Sequence, residues 1–184
     1  MSESFKFNDE NLEKVKKIVA RYPEGRQQSA VLPLLDIAQR QNNGHASDAV
    51  IDAVAEALDM PRIRVMEVAS FYTMINRKPV GKYHLQCCTT TPCWLRGSSE
   101  VVDAIRKHIG IDFGEVTDDG MFSMLEVECL GGCVNAPIVQ VNDDFFEDLD
   151  AESVVKLLKS LQAGEYPEPG PQIDRQKSAP VGGP

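Results

Sequence analysis

The sequence has no long apolar segment, few aromatic residues and no excess of basic residues. No apolar run approaches the ~20 residues that a membrane-spanning helix needs, and the residues from Met1 to Lys6 resemble neither a signal peptide nor an arginine-rich transit peptide. The 184 residues include 28 Asp and Glu against 19 Lys and Arg, a formal net charge of −9. Nucleic-acid binders need a basic face, so this charge argues against that class. We expect a protein kept in a reducing compartment, where clustered cysteines indicate metal or redox chemistry.

Motifs for nucleotide binding and for nucleophilic catalysis are also missing. The chain has no G-x-G-x-x-G and no Walker loop, so nothing in it predicts a cradle for a nucleotide phosphate. No Ser or Cys lies in a recognisable nucleophile motif, and the histidines are scattered at His45, His84 and His108. Trp94 directly follows Cys93 and is expected to limit water access there. The sequence therefore predicts no catalytic residue, and its five cysteines become the main chemical feature.

The first part of the chain, residues 1–80, has apolar residues at helical spacing. It predicts a bundle of four short helices with brief connections, and hence antiparallel packing. The expected N-terminal caps or first residues of these helices are Asn8 or Asp9, Ser29, Ser47 and Pro61.

After residue 80 the hydrophobic pattern changes its period. Residues 81–164 predict the order strand, helix, strand, strand, strand, helix, which is an α+β (α/β) sheet domain. A turn at residues 142–144 is expected to join the third and fourth strands into a hairpin. The helix caps expected here are Ser98 or Ser99, and Asp150. Residues 165–184 are rich in proline and predict an extended tail that cannot pack alone, with a partner surface as the place where it would become ordered.

Four of the five cysteines form two pairs, each directly after a predicted strand. Cys88 and Cys93 make a C-x4-C pair, and Cys129 and Cys133 make a C-x3-C pair. If the two strands are neighbours, the pairs converge at one edge of the sheet, where four thiolates are the ligands of a tetrahedral-sulfur metal site. Strand alternation places Cys87 on the opposite face from Cys88. We expect Cys87 to be a core residue, with replacement of Cys88 as a ligand as the alternative.

The loop lengths favour a two-iron cluster over a single zinc ion. Structural zinc sites usually have C-x2-C or closely related spacings, whereas plant-type 2Fe–2S ferredoxins contain a C-x4-C loop, although their third cysteine follows sooner. Thr90 and Gly131 occupy the places where a Rieske centre would need histidines. Gly131 and Gly132 permit backbone N–H groups to approach the sulfurs, and Thr89, Thr90 and Thr91 offer hydroxyl donors. A structural zinc site and unrelated buried thiols remain open alternatives.

The segments around the cysteine pairs, residues 88–96 and 128–137, carry a family resemblance. Together with the segments 34–41, 67–74 and 76–83, they resemble the thioredoxin-like 2Fe–2S subunits of NADH:quinone oxidoreductase, respiratory complex I. The similarity extends from about Phe7 to Pro171. The departure from the family pattern is Cys87, where an apolar residue would be ordinary.

The resemblance implies an N-terminal helical bundle followed by a thioredoxin-like 2Fe–2S ferredoxin domain. It implies one 2Fe–2S cluster, held by Cys88, Cys93, Cys129 and Cys133. It also implies electron transfer inside an oxidoreductase, beside a larger flavoprotein subunit that binds NADH, FMN and a 4Fe–4S cluster, and beside other peripheral-arm subunits. This chain would then have no NADH site. A cis peptide bond is expected at Ala136–Pro137, by analogy with the thioredoxin fold.

The expected location is peripheral, with membrane association only through the complex. Because no transit peptide is recognisable, the cytoplasmic side of a bacterial inner membrane is expected first and the mitochondrial matrix side second.

Rival functions stay open on the sequence alone. Similar subunits occur in NAD-linked formate dehydrogenases and NAD-reducing hydrogenases, which keep the fold and change the complex. A zinc-stabilised adaptor without redox activity is the alternative of another class. A stand-alone ferredoxin would have little use for the N-terminal bundle.

Overall fold

The structure is a computed structural model that describes residues 4–175. The chain divides into two units between Val80 and Gly81, and each unit has its own hydrophobic core. No helix among the described residues is long and apolar enough to cross a membrane.

The first unit is helical. Its α-helices are α1 (Asp9–Val19), α2 (Val31–Gln41), α3 (Asp48–Ala57) and α4 (Arg62–Phe71), and a 3-10 turn at Gln27–Ala30 precedes α2. The apolar stripes of these helices face inward, as their spacing predicts. Its fully buried side chains include Leu34, Leu35, Val50, Ile51, Val54 and Val65.

Most of the helix starts in this unit agree with the sequence. The side chains of Asn8 and Ser47 accept hydrogen bonds from backbone N–H groups in the first turns of α1 and α3. Pro61 directly precedes α4, as expected. The cap expected at Ser29 is wrong, because residues 27–30 form a 3-10 turn that continues directly into α2.

The second unit has a five-stranded sheet with helices. Its strands are β1 (Tyr83–Cys88), β2 (Phe122–Val127), β3 (Val139–Val141), β4 (Asp144–Glu147) and β5 (Gly170–Pro171). Its helices are α5 (Thr91–Leu95), α6 (Ser98–Ile109) and α7 (Ala151–Gln162). The strand order is β2-β1-β3-β4-β5, with β1 parallel to β2, β3 antiparallel to both β1 and β4, and β5 parallel to β4.

The connection between β1 and β2 brings both strands to an end at the same edge of the sheet. Helix α6 lies in this crossover, and β1 pairs with β2 from Tyr83 opposite Phe122 to Cys88 opposite Val127. The core of the unit contains alternate residues of β1, such as Leu85, and the apolar faces of α6 and α7. The predicted hairpin of β3 and β4 and the predicted cap at Asp150 are confirmed.

The start of α6 differs from the expectation. Gly97, and neither Ser98 nor Ser99, is the residue before the helix, and its φ is +96°. The reason is the short helix α5, which ends only two residues earlier, so the chain must pass through a left-handed conformation that glycine adopts at little cost.

The start of the predicted tail packs on the sheet of its own chain, which also differs from the expectation. The Tyr166 ring contacts Phe146 at a centroid distance of 5.9 Å, and the two residues of β5 pair with the end of β4. Farther along, Arg175 binds the carboxylate of Asp148 at 2.8 Å. A proline-containing strand is tolerated here because β5 is the edge of the sheet. The remainder of the predicted tail, residues 176–184, lies outside the described residues.

Candidate metal centre

Both cysteine pairs lie at the edge of the sheet where β1 and β2 end. Cys88 is the last residue of β1 and Cys93 lies in α5, while Cys129 and Cys133 are in the segment that follows β2. The strand register places Cys88 opposite Val127. The prediction that the two strands are neighbours is therefore confirmed, and the structure brings all four predicted cysteines to one place.

The four thiols interact as two pairs. The Sγ atoms of Cys129 and Cys133 are 3.3 Å apart, and the thiols of Cys88 and Cys93 share a hydrogen bond. Electrostatic interactions connect Cys88 with both members of the other pair. Cys88 and Cys93 are buried, packed with Ala136, whereas Cys129 is exposed and Cys133 is half-buried. One pair thus lies below the surface and the other lies at it.

This arrangement fits a two-iron cluster. Within residues 4–175, no three His, Cys, Asp or Glu side chains are placed to hold one metal ion at a single point. A 2Fe–2S cluster does not require such a point, because each of its two irons takes two thiolates. The available donors are four cysteine sulfurs in two pairs, and this is the ligand set that a 2Fe–2S cluster needs.

In the buried pair, the two thiols differ in acidity. Burial by itself would raise the pKa of Cys88, but hydrogen bonds from the Thr90 hydroxyl, from the Thr90 backbone N–H and from Cys93 lower it below the ordinary value. Burial raises the pKa of Cys93 to about 12, and its hydrogen bond with Cys88 acts in the same direction. The proton on Cys93 must therefore leave when both sulfurs bind a metal as thiolates.

The exposed pair repeats this division. The backbone N–H of Gly131 and the thiol of Cys133 donate hydrogen bonds to Cys129 and lower its pKa. The same bond to Cys129 raises the pKa of Cys133. Occupation of all four positions thus releases protons from both pairs, so metal binding here should weaken as the pH falls.

The two glycines between Cys129 and Cys133 have different roles. Gly131 has a φ of +85°, and its backbone N–H lowers the pKa of Cys129, in line with the expected approach of the backbone to the sulfurs. At Gly132, a Cβ atom would collide with the side chain of Ile138. A side chain at position 132 would therefore require the terminal methyl group of Ile138 to move, a contact that the sequence does not reveal.

Cys87 lies apart from this set. It is 1% exposed in the core of the sheet, in the cluster that contains Leu85 and Ile105, and burial raises its pKa to about 12. The prediction that alternation places Cys87 in the core is confirmed.

Residues close to the cysteines give mixed outcomes. The Ala136–Pro137 peptide bond is cis, as expected. Trp94 is 61% exposed, so most of its own side chain faces solvent in this chain, and its effect on water access to the site stays a prediction. The Thr90 hydroxyl oxygen lies 3.3 Å from the Cys88 sulfur, whereas the Thr89 hydroxyl donates to Glu126 at 2.6 Å. The sequence predicts all three threonines, Thr89, Thr90 and Thr91, as hydroxyl donors, and only the side-chain geometry shows which hydroxyl lies at a sulfur.

Comparison with known families agrees with this geometry. Residues 15–162 match the family described as thioredoxin-like 2Fe-2S ferredoxin. The chain belongs to the thioredoxin-like 2Fe-2S ferredoxin family. The expected fold and the expected 2Fe–2S cofactor are thereby confirmed at the level of the family, and the match extends from within α1 to the end of α7.

The relatives of this ferredoxin-family chain include proteins named as parts of NADH-quinone oxidoreductase and of NADH dehydrogenase. An NADH-quinone oxidoreductase subunit of Rickettsia conorii is 51% identical over 159 residues, which are 86% of this chain and 95% of that protein. The mitochondrial NADH dehydrogenase (ubiquinone) flavoprotein 2 of Dictyostelium discoideum is 49% identical over 172 residues, which are 94% of this chain and 70% of that protein. The family resemblance that the cysteine segments predict is confirmed.

A solved structure shares the fold. An NAD+-reducing NiFe-hydrogenase in the air-oxidized state matches with a TM-score of 0.64 at 20% identity. The match covers 73% of this chain and 23% of the hydrogenase chain. At this identity, the likeness concerns the fold alone.

Proposed function

We propose that this chain is the electron-transfer subunit of the NADH dehydrogenase module of an NADH:quinone oxidoreductase, complex I. The observation that carries the proposal is the meeting of four cysteines at one sheet edge, in a chain that is 51% identical to the Rickettsia conorii oxidoreductase subunit over 95% of that protein. The chain offers no nucleotide-binding motif. Its part in NADH oxidation is to carry single electrons, while a partner subunit binds NADH.

The proposed ligands of the cluster are Cys88, Cys93, Cys129 and Cys133. When bound, a 2Fe–2S cluster supplies one-electron redox chemistry. The chain would supply two buried sulfurs, from Cys88 and Cys93, and two sulfurs near the surface, from Cys129 and Cys133. N–H and hydroxyl donors at Thr90 and Gly131 offset the negative charge of the four thiolates.

The proposed partner is a flavoprotein subunit that holds FMN and NADH, within the peripheral arm of the complex. Large apolar side chains next to the cysteines support a partner at this edge, since Leu95 is 71% and Val134 is 86% exposed. Membrane association would occur only through the complex, on the cytoplasmic side in a bacterium. The alternative complexes, formate dehydrogenase or hydrogenase, would be revealed by the subunits that co-purify with the tagged chain from its own cells.

The first test is metal and sulfide analysis of the purified full chain. We expect two irons and two acid-labile sulfides per chain, and a paramagnetic signal by electron paramagnetic resonance (EPR) after reduction with dithionite. One zinc per chain without sulfide would support the adaptor function and overturn the proposal.

The ligand set is tested by Cys93→Ser. Replacing a soft thiolate by a harder oxygen weakens binding to iron and changes the electronic structure. We expect the EPR signal of the reduced cluster to be lost or distorted, with less iron per chain. An unchanged spectrum would remove Cys93 from the ligand set.

The matched control for this variant is Cys87→Ser. Cys87 and Cys93 are both 1% exposed, so both substitutions bury a hydroxyl. Because Cys87 lies in the sheet core, we expect Cys87→Ser to lower stability while the EPR spectrum of the loaded protein stays that of the parent. Loss of the cluster in Cys87→Ser, together with its retention in Cys88→Ser, would instead make Cys87 the ligand from β1.

A further inference from the structure

Thr90 stands between the two cysteine pairs. Its hydroxyl oxygen is 3.3 Å from the Cys88 sulfur, and the same hydroxyl also lowers the pKa of Cys129 in the other pair. Its backbone N–H lowers the pKa of Cys88 as well. Among residues 4–175, no other side-chain hydroxyl is hydrogen-bonded to a cysteine sulfur.

The hydroxyl of Thr90 is not engaged in helix capping. Thr90 is the residue before α5 and has the extended backbone of an N-cap, with φ −69° and ψ 167°. A threonine at such a position usually accepts a hydrogen bond from the first turn of the helix. Here no such bond forms, in contrast to Asp150, whose carboxylate caps α7. The Thr90 hydroxyl is therefore oriented towards the Cys88 sulfur and not towards the backbone of α5.

The neighbouring residue Thr89 provides a natural comparison. It has the same side chain in the same loop, but its hydroxyl donates to Glu126 at 2.6 Å. The two threonines are both half-buried. The interaction with sulfur is thus specific to Thr90 and is not a general property of the loop.

We propose that Thr90 is a positioning residue whose hydroxyl, by donating a hydrogen bond to a ligand sulfur, raises the reduction potential of the cluster. The inference rests on the proposed function, which makes Cys88 and Cys129 ligands. A metal-bound thiolate has no proton, so the hydroxyl must be the donor. Reduction adds negative charge to the cluster and its sulfurs, and a donor stabilises the reduced state more than the oxidised state.

The experiment compares Thr90→Val with Thr90→Ser in the full chain. Valine keeps the branched shape and removes the hydroxyl, while serine keeps the hydroxyl. In a redox titration followed by EPR, we expect a more negative midpoint for Thr90→Val. The ratio of oxidised to reduced cluster at a fixed potential should rise by up to about tenfold, which corresponds to ~59 mV for one electron. Thr90→Ser should titrate close to the parent protein.

Thr89→Val is the matched control, and its midpoint should stay near that of the parent. An equal midpoint for Thr90→Val and the parent, or an equal shift for Thr89→Val, overturns the inference and leaves the proposed function intact. If Thr90→Val loads too little cluster for a titration, Thr90→Ala is titrated in its place. The same negative shift is expected for Thr90→Ala, and an unchanged midpoint overturns the inference. A parent chain without any 2Fe–2S cluster overturns the proposed function itself.

Discussion

Adjacent residues have different environments at the edge of the sheet where the cysteine pairs lie. Cys87 and Cys88 are adjacent, yet the first is a core thiol whose pKa burial raises to about 12, and the second meets the donors of Thr90. Because successive strand residues face opposite sides, a shift of one position would exchange the two environments. The side on which a cysteine lies, and not its presence alone, therefore makes it a candidate ligand.

His84, also in β1, is a buried histidine that is neutral at physiological pH. Its Nδ1 is 2.7 Å from the Ser123 hydroxyl oxygen, which also accepts the Gly81 N–H, and its Nε2 has no hydrogen-bond partner among the described residues. Burial lowers the pKa of His84 from 6.5 to about 4. Between these two pKa values, His84 is therefore neutral in the folded chain and protonated in the unfolded chain.

This difference predicts loss of stability in mild acid. Between pH 6.5 and 4 the unfolded chain binds the extra proton, so the free energy of unfolding falls as the pH decreases. The contribution of His84 is full above pH 6.5 and is lost progressively towards pH 4, by up to about 3 kcal/mol. Urea unfolding at pH 7 and at pH 4.5 measures the difference in the free energy of unfolding. His84→Gln should make this difference smaller.

His108→Gln is the control for that measurement. His108 is partly exposed and hydrogen-bonds to Gln162 at 2.9 Å, so its replacement should leave the steep pH dependence of the parent. A pH dependence that is equal in His84→Gln and His108→Gln would show that His84 does not cause the acid sensitivity.

Among the elements, the segment after β5 has a local structural role. Arg175 binds Asp148, whose side chain is 2% exposed, at 2.8 and 3.1 Å, and it also lies 3.4 Å from the carbonyl oxygen of Val134. Asp148 follows β4 and has a φ of +53°, and its N–H donates to the Asn135 carbonyl. The end of the described chain therefore neutralises a buried carboxylate in the turn beside the Cys133 loop.

Arg175→Met tests this role. Removing one partner of a buried ion pair leaves an uncompensated charge, so we expect the free energy of unfolding to fall by roughly 3 kcal/mol in urea denaturation. Arg64→Met is the comparison, because Arg64 pairs with Glu67 on the exposed surface of α4, and such pairs contribute less than about 1 kcal/mol. Equal effects of the two substitutions would mean that Asp148 does not depend on Arg175.

Elements with strong local signals could be predicted from the sequence. Asn8, Ser47 and Asp150 each have a side chain that satisfies N–H groups of the helix that follows, and this depends only on neighbours in the sequence. The edge strand β5 could not be predicted, because its two residues are paired by β4, far away in the sequence. Proline content suggests an unpaired chain, but tertiary contacts override it here.

The candidate site shows the same division. The convergence of the cysteine pairs follows from two strands that end together, and the alternation of apolar residues reveals those strands. The distinction between Thr89 and Thr90 depends on side-chain torsion angles, and the effect of a Cβ atom at Gly132 depends on contact with the terminal methyl group of Ile138. Neither of these two features follows from the spacing of residues along the chain, so the sequence could not predict them.

At the scale of the whole molecule, the helical unit and the cysteine-bearing unit have separate hydrophobic cores. The helical core contains Leu34, and the sheet core contains Leu158, both fully buried, and no residue belongs to both clusters. All five cysteines follow residue 80. The environment of the proposed cluster is therefore supported by the second core, together with the backbone that it fixes.

A pair of matched substitutions tests this division. Leu34→Ala and Leu158→Ala each remove the same atoms from a fully buried site and should each cost about 2–5 kcal/mol in their own unit. On heating the loaded full chain, Leu158→Ala should lower the temperature at which the visible absorption of the cluster disappears. Leu34→Ala should lower the far-ultraviolet circular dichroism transition of the helices, while its cluster absorption and iron content stay near those of the parent. If Leu34→Ala releases the cluster at the same temperature as Leu158→Ala, the two cores unfold as one, and the helical unit helps to hold the cluster in place.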